Sequence, residues 1–224
     1  MIRAAILAVA VLLPGPALAC RLALLLALDV SSSVDEREYL LQRNGLASAL
    51  IAPEVVEAFL ASPQPVALAA DEWSGRFNQH LVLDWTEIDS AADLLDASAR
   101  VSAAARSQDE FPTAMGYALA HAAKMFRSAP KCLARTIDVS ADGESNHGFK
   151  PRLAYKHFPL DGVTVNGLAI GQSVGLDNLV VYFRNEVLKG PGAFVETARD
   201  YEDFERAMRR KLEREVASFA IGQR

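Results

Sequence analysis

Seven consecutive apolar residues, Leu22 to Leu28, run straight into Asp29-Val-Ser-Ser-Ser33. A segment apolar on both faces fits the middle of a parallel sheet covered by helices on each side. Polar residues following such a strand sit at its carboxyl end, where open α/β sheets bind ligands. The rest of the chain repeats the theme. Helical patterns are expected over Asp35–Leu50, Glu54–Leu60, Ser90–Arg106, Thr113–Phe126, Lys150–His157, Leu179–Leu188 and Asp200–Phe219. Strands are expected over Pro65–Glu72, His80–Trp85, Leu133–Val139, Val163–Ile170 and Ala193–Thr197. The alternation implies a doubly wound, mostly parallel six-stranded sheet with helices on both faces. Only Trp73 to Gln79 separates the second and third strands. A parallel crossover needs a dozen or more residues, so these two form an antiparallel hairpin at an edge of the sheet.

The first 19 residues stand apart. Met1-Ile-Arg3 is a short positive start, Ala4 to Leu13 is apolar, Pro14-Gly-Pro16 breaks a helix, and Ala17-Leu-Ala19 fits a signal-peptidase site. This reads as a secretory signal peptide, too short in its apolar part to span a bilayer. Residues 20–224 then form one mature domain, exported to the periplasm or the outside of the cell. Without Arg3 it carries 22 basic and 28 acidic residues, a charge of −6. That balance offers no footprint for nucleic acid or an anionic membrane. Both cysteines, Cys20 and Cys132, remain, which suggests a disulfide in an exported protein. A lipid anchor on Cys20 is the other reading, although Leu18 stands one place late for that pattern.

The chemistry gathers behind the strands. Asp29, Ser31 and Ser33 follow the first, and Asp142-Gly143 follows the strand at Leu133. Thr113 opens a helix between them. In an extended stretch every second side chain points the same way, so Asp29, Ser31 and Ser33 would converge while Ser32 points away. Two carboxylates and three hydroxyls are hard oxygen donors, suited to Mg²⁺, Mn²⁺ or Ca²⁺, with Mg²⁺ favoured on size. Alone, Asp29, Ser31 and Ser33 would serve equally well to cap the following helix.

Asp29-x-Ser31-x-Ser33, then Thr113-x-x-Gly116-x-Ala118-Leu119, then Asp142-Gly143 behind an apolar strand, resembles the metal-ion-dependent adhesion site of von Willebrand factor A domains. Glu72-Trp-Ser-Gly75, Ile137-Asp-Val-Ser-Ala-Asp-Gly143 and Asp161-Gly-Val-Thr-Val-Asn-Gly167 extend the likeness to a family of exported bacterial proteins of this type with no assigned function. Ala141 and Ser145-Asn146 depart from that family's usual pattern. The resemblance implies that Ser31 and Ser33 ligate an ion directly, that Asp29, Thr113 and Asp142 do so directly or through water, and that water or a partner's carboxylate completes the shell. It also implies a strand order that makes the first strand and the strand at Leu133 neighbours. Cys20 and Cys132 stand nine and ten residues ahead of Asp29 and Asp142, so they would meet at the opposite ends of those strands, within bridging range.

The remaining polar residues read more plainly. His80, His121, His147 and His157 have no metal-ligand spacing, and His147 is expected on the rim of the ion site. Trp73 and Trp85 are expected to pack around the hairpin. Arg206, Arg209, Arg210, Lys211 and Arg214, interleaved with glutamates, read as one solvated helix face. No nucleophile elbow, phosphate loop or dinucleotide fingerprint is present. The leading expectation is a binding module. Its rivals are a metal-dependent hydrolase of phosphate or ester substrates, drawing a base from Asp35, Glu144 or His147, and a domain whose ion only ties down loops.

Overall fold

The computed structural model describes residues 20–171 and 173–221; the signal-peptide reading falls outside them. One six-stranded sheet runs through the domain. Its strands are β1 (Leu22–Asp29), β2 (Val66–Ser74), β3 (Asn78–Ile88), β4 (Ala134–Ala141), β5 (Val163–Ile170) and β6 (Val195–Ala198). They lie in the order β3-β2-β1-β4-β5-β6. All neighbours pair in parallel except β2 and β3, which form the expected antiparallel hairpin at the edge. The order reverses at β1, between β2 and β4, so the carboxyl ends of β1 and β4 flank the switch point.

Side-chain alternation along β1 divides the core. Leu22, Leu24, Leu26 and Leu28 face one helical layer, while Ala23, Leu25 and Ala27 face the other. The first layer contains α1 (Glu36–Leu50), α2 (Pro53–Leu60), α3 (Ala91–Ala103) and α7 (Phe204–Ile221). The second contains α4 (Met115–Met125), α5 (Pro151–His157) and α6 (Ser173–Tyr182). Local chemistry explains the boundaries. Asp35 and Ser90 each close a capping box at the start of α1 and α3. Pro53 and Pro151 open α2 and α5, where a missing N–H costs nothing. Trp73 is fully buried, and Trp85 packs on Phe126 with ring centroids 5.4 Å apart.

Three expectations about the helices need correction. The segment expected to be helical over Leu179–Leu188 starts earlier, at Ser173, and its end widens into a π-turn, Phe183–Val187. That turn buries both Phe183 and Val187, and Phe183 lies where a side chain on Gly167 would stand. The helix α3 ends at Ala103 rather than Arg106, because Ala104 is already extended. Thr113 does not begin α4. It lies two residues ahead of the helix, and Ala114 between them is non-helical.

The basic face read as solvated is also not uniform. Lys211 and Glu215 are buried, and Lys211 Nζ lies 2.8 Å from Asp138 on β4 and 2.7 Å from Glu215. Other charges of α7 form ordinary surface pairs, Arg209 with Glu205 and Arg210 with Glu196.

A second buried acid has no such cation. Both carboxyl oxygens of Asp71 on β2 lack a hydrogen-bond partner, and His121 Nε2 stands 3.8 Å away. Burial, with Glu72 adding to it, pushes the Asp71 carboxyl up to about 8, while burial lowers His121. A folded-state value above the unfolded one means that the folded chain holds the extra proton. Its stabilisation is therefore complete below about pH 4 and lost as pH rises through about 8. Asp71→Asn, uncharged throughout, is expected to lose less stability than the parent between pH 5 and pH 8 in urea unfolding. Identical slopes would show that Asp71 is ionised in the fold.

Candidate metal centre

The polar loop behind β1 is built as a turn. Asp29 ends the strand, and its Oδ1 accepts a 2.8 Å bond from the Ser31 backbone N–H. The Val34 N–H then donates to the Ser31 carbonyl at 3.0 Å. The extended reading of residues 29–33 is therefore wrong. Beyond Asp29 the ladder ends, and an aspartate side chain standing in for a backbone acceptor turns the chain instead. The turn still places Ser31 and Ser33 side by side, with Oγ atoms 3.2 Å apart, and leaves Ser32 exposed.

The other two residues arrive from separate loops. Thr113 Oγ1 lies 3.1 Å from Ser31 Oγ and is buried. Ser33 Oγ donates to Asp142 Oδ1 at 2.8 Å, immediately beyond β4. All five residues thus meet at the carboxyl ends of β1 and β4. Asp29 is wholly buried, and its Oδ2 has no hydrogen-bond partner. Burial, together with the nearby Asp142 carboxylate, pushes Asp29 up to about 8. Burial also raises Asp142. A dry carboxylate oxygen without a donor, beside three hydroxyls and a second carboxylate, is a costly arrangement unless a cation shares it. The donor set is all oxygen and fits a hard divalent ion. Among the described residues, no group of three or more His, Cys, Asp or Glu side chains could hold a metal. A site of this kind is built on hydroxyls, which leave the charge of an ion largely unquenched.

Several supporting residues escaped the sequence. Arg106 is nearly buried, and its Nη2 donates to the carbonyls of Val34 at 2.5 Å and of Val30 and Ser31 at 3.3 Å each. It pins the loop from behind. Gln42 Nε2, on α1, donates to the Asp29 carbonyl at 2.9 Å. Burial, with the fields of Asp142 and Asp29 adding to it, lifts the Tyr201 phenol well above its usual range; its hydroxyl makes no well-directed hydrogen bond. Ser145, which departs from the usual family residue, accepts from the Met115 N–H at 3.1 Å and so ties the loop after Asp142 to the start of α4. Gly116 allows the same approach, since a Cβ there would meet the Phe149 carbonyl at 1.9 Å. Gly116 belongs to the motif that Thr113 opens, whereas Arg106, Gln42 and Tyr201 have no local pattern that marks them. His147 is exposed and holds Thr113 only through its backbone N–H, 3.1 Å from the Thr113 carbonyl.

Residues 19–220 match the family described as "Protein of unknown function (DUF1194)". No curated protein matches. Among solved structures, proximal thread matrix protein 1 from the mussel byssus superposes with a TM-score of 0.62 at 14% identity, over 87% of this chain and 47% of that one. The same protein "with zinc occupied MIDAS motif" gives 0.61 at 14%, over 90% and 48%. The present chain spans about half the length of those proteins. The von Willebrand domain of the pili tip protein Mfa5 from Porphyromonas gingivalis gives 0.58 at 11%, over 93% of this chain and 99% of that one. Shared strand order, the antiparallel edge and these superpositions agree: the chain belongs to this family of unknown function, and its fold is that of a von Willebrand factor A domain.

Proposed function

We propose that residues 20–224, released from a signal peptide at 1–19, form an exported binding module that holds one divalent cation and presents it to a carboxylate on a protein partner. Asp29, Ser31, Ser33, Thr113 and Asp142 would hold the ion, Mg²⁺ in preference to Mn²⁺ or Ca²⁺. The reading rests on one observation above all: Asp29 Oδ2 is buried without a partner at the point where three hydroxyls and Asp142 converge. Neutral hydroxyls leave the ion electron-poor, so an outside anion is a natural further ligand. The similar structures include a matrix protein of the mussel byssus and a pili tip protein, which supports binding as the role. No helix among the described residues is long and apolar enough to cross a membrane. Of the bases a hydrolase would need, the Asp35 carboxylate is engaged as the cap of α1, where it accepts from the Glu38 backbone N–H.

The test is a metal titration followed by thermal or urea unfolding. At a hundredfold excess of Mg²⁺ over its dissociation constant, the parent should gain about 2.7 kcal/mol. Asp29→Asn keeps the acceptor that forms the turn and loses the charge, so it should fold in EDTA at least as well as the parent and gain nothing from Mg²⁺. Equal metal responses would remove Asp29 from the site. Capture from the exported proteome, with Mg²⁺ and with EDTA, then separates a partner-binding ion from one that only stabilises loops.

A further inference from the structure

We propose that Lys211 and Asp138 condense into an intramolecular amide, with Glu215 as the proton acceptor, so that the last helix becomes covalently fixed to a central strand. The three side chains form a closed charged cluster on the sheet face that carries α7. Lys211, Asp138 and Glu215 are 0, 1 and 2% exposed. Lys211 Nζ lies 2.8 Å from Asp138 Oδ1 and 2.7 Å from Glu215 Oε1. The bond to Glu215 is well directed, whereas the approach to Asp138 is not along a hydrogen-bond direction. Asn166, level with Asp138 on β5, donates to Glu215 Oε1 at 2.7 Å and accepts from the Phe194 N–H, which holds the glutamate in place. The ring of Phe194 closes the site, with its centroid 4.9 Å from Nζ.

This arrangement supplies what amide formation needs. The amine must lose a proton, and Glu215 is within reach to take it. The acid must be neutral, and burial raises the Asp138 carboxyl toward that form. Nucleophile and carboxyl are held together on rigid elements, which replaces an encounter by a fixed approach. Water, the species that would reverse the reaction, is excluded. The driving force comes from the same burial, because an ammonium and a carboxylate held in a dry core carry a large desolvation cost. An amide removes one charge of each sign.

The balance closes without any co-reactant. The Lys211 ammonium passes one proton to the Glu215 carboxylate. Nζ attacks Cγ of protonated Asp138, a C–N bond forms, and the C–OH bond breaks. The departing hydroxyl takes the second amine proton and leaves as water. An ammonium, a carboxylic acid and a carboxylate become an amide, water and a carboxylic acid. The product would tie residues 138 and 211 across the sheet–helix boundary. The ion reading is independent of this, because none of the five candidate ligands takes part.

Intact-mass measurement on the purified, denatured and reduced full mature chain decides the matter. The expected mass is one water below that of the sequence, and peptide mapping should yield a branched peptide joining Lys211 to Asp138. Glu215→Gln, which keeps shape and hydrogen bonding, should return most of the chain to full mass. Lys211→Arg should return all of it. A parent of full mass overturns the proposal and leaves a buried ionic triad. Water lost at any other peptide overturns it as well.

Discussion

Measured against parent chain of full mass, in which Lys211 and Asp138 are still an ion pair, Lys211→Met should be among the most damaging single substitutions in this protein, costing about 3–5 kcal/mol in urea unfolding at neutral pH, the range for removing one partner of a buried ion pair. The side chain is fully buried, so methionine fits its path without entering solvent. What it leaves behind is the problem. Asp138 and Glu215 then face each other in the core with no cation between them, and at least one must take up a proton to remain folded. That requirement gives the prediction a second signature. With Lys211 gone, the Asp138 carboxyl, already raised by burial, rises further, so the folded chain binds more protons than the unfolded one and stability falls as pH rises. The deficit relative to the parent should shrink toward pH 5 and grow toward pH 8. A triple change to Lys211→Met, Asp138→Leu and Glu215→Met should recover much of the loss, since well-packed apolar side chains often match a buried ion pair. If Lys211→Met alone costs under about 1 kcal/mol, as an exposed pair would, the cluster is wet and the burial assigned to it is wrong.

The same residue shows where the sequence stops being legible. Phe204, Met208, Leu212 and Val216 mark one buried stripe of α7, and every charge beside it looks equally solvated. Lys211 and Glu215 border that stripe. What draws them inward is Asp138, a carboxylate inside the apolar run Ile137-Asp138-Val139, and nothing local pairs strand residue 138 with helix residue 211. A charge inside a strand of a covered sheet is the trace that could have prompted a search for its partner. Elements were easier. Apolar runs located β1, β4 and β5, and the seven-residue gap after Glu72 required the hairpin. The five candidate ligands are legible from their places behind the strands together with the resemblance to the adhesion site, and the structure brings them together by a different route. An extended stretch was expected where Asp29 in fact folds its own side chain back onto the Ser31 N–H. Side chain–backbone competition of this kind depends on where strand pairing ends, which periodicity does not reveal. Arg106, Gln42 and Tyr201 reach the loop from distant segments and leave no local trace at all.

Cys132→Ser, or the double change with Cys20→Ser, should be the other large loss. The two cysteines are disulfide-bonded with Cα atoms 4.5 Å apart, and 112 residues separate them along the chain. Cys20 lies just ahead of β1 and Cys132 just ahead of β4, with the Leu133 N–H also donating to the Cys20 carbonyl at 2.9 Å. The bond therefore fastens the amino ends of the two strands whose carboxyl ends carry Asp29 and Asp142. A loop of that length restricts the unfolded chain strongly, by about 4–5 kcal/mol on the entropic model, and removing a native bridge of this sort typically costs about 2–5 kcal/mol. The loss should appear equally in the double variant and in the reduced parent, because both lack the same crosslink. Metal response gives the more informative comparison. The parallel ladder between β1 and β4 runs from Leu22–Ala134 to Leu28–Ser140, and this pairing, rather than the bridge, sets the height of the two aspartates. The double variant should therefore keep its Mg²⁺ affinity once folded, while unfolding at lower urea. Should the affinity fall with the stability, the strand ends at the ion would depend on the far end of the sheet being clamped, and the bridge would be part of the binding apparatus as well as of the fold.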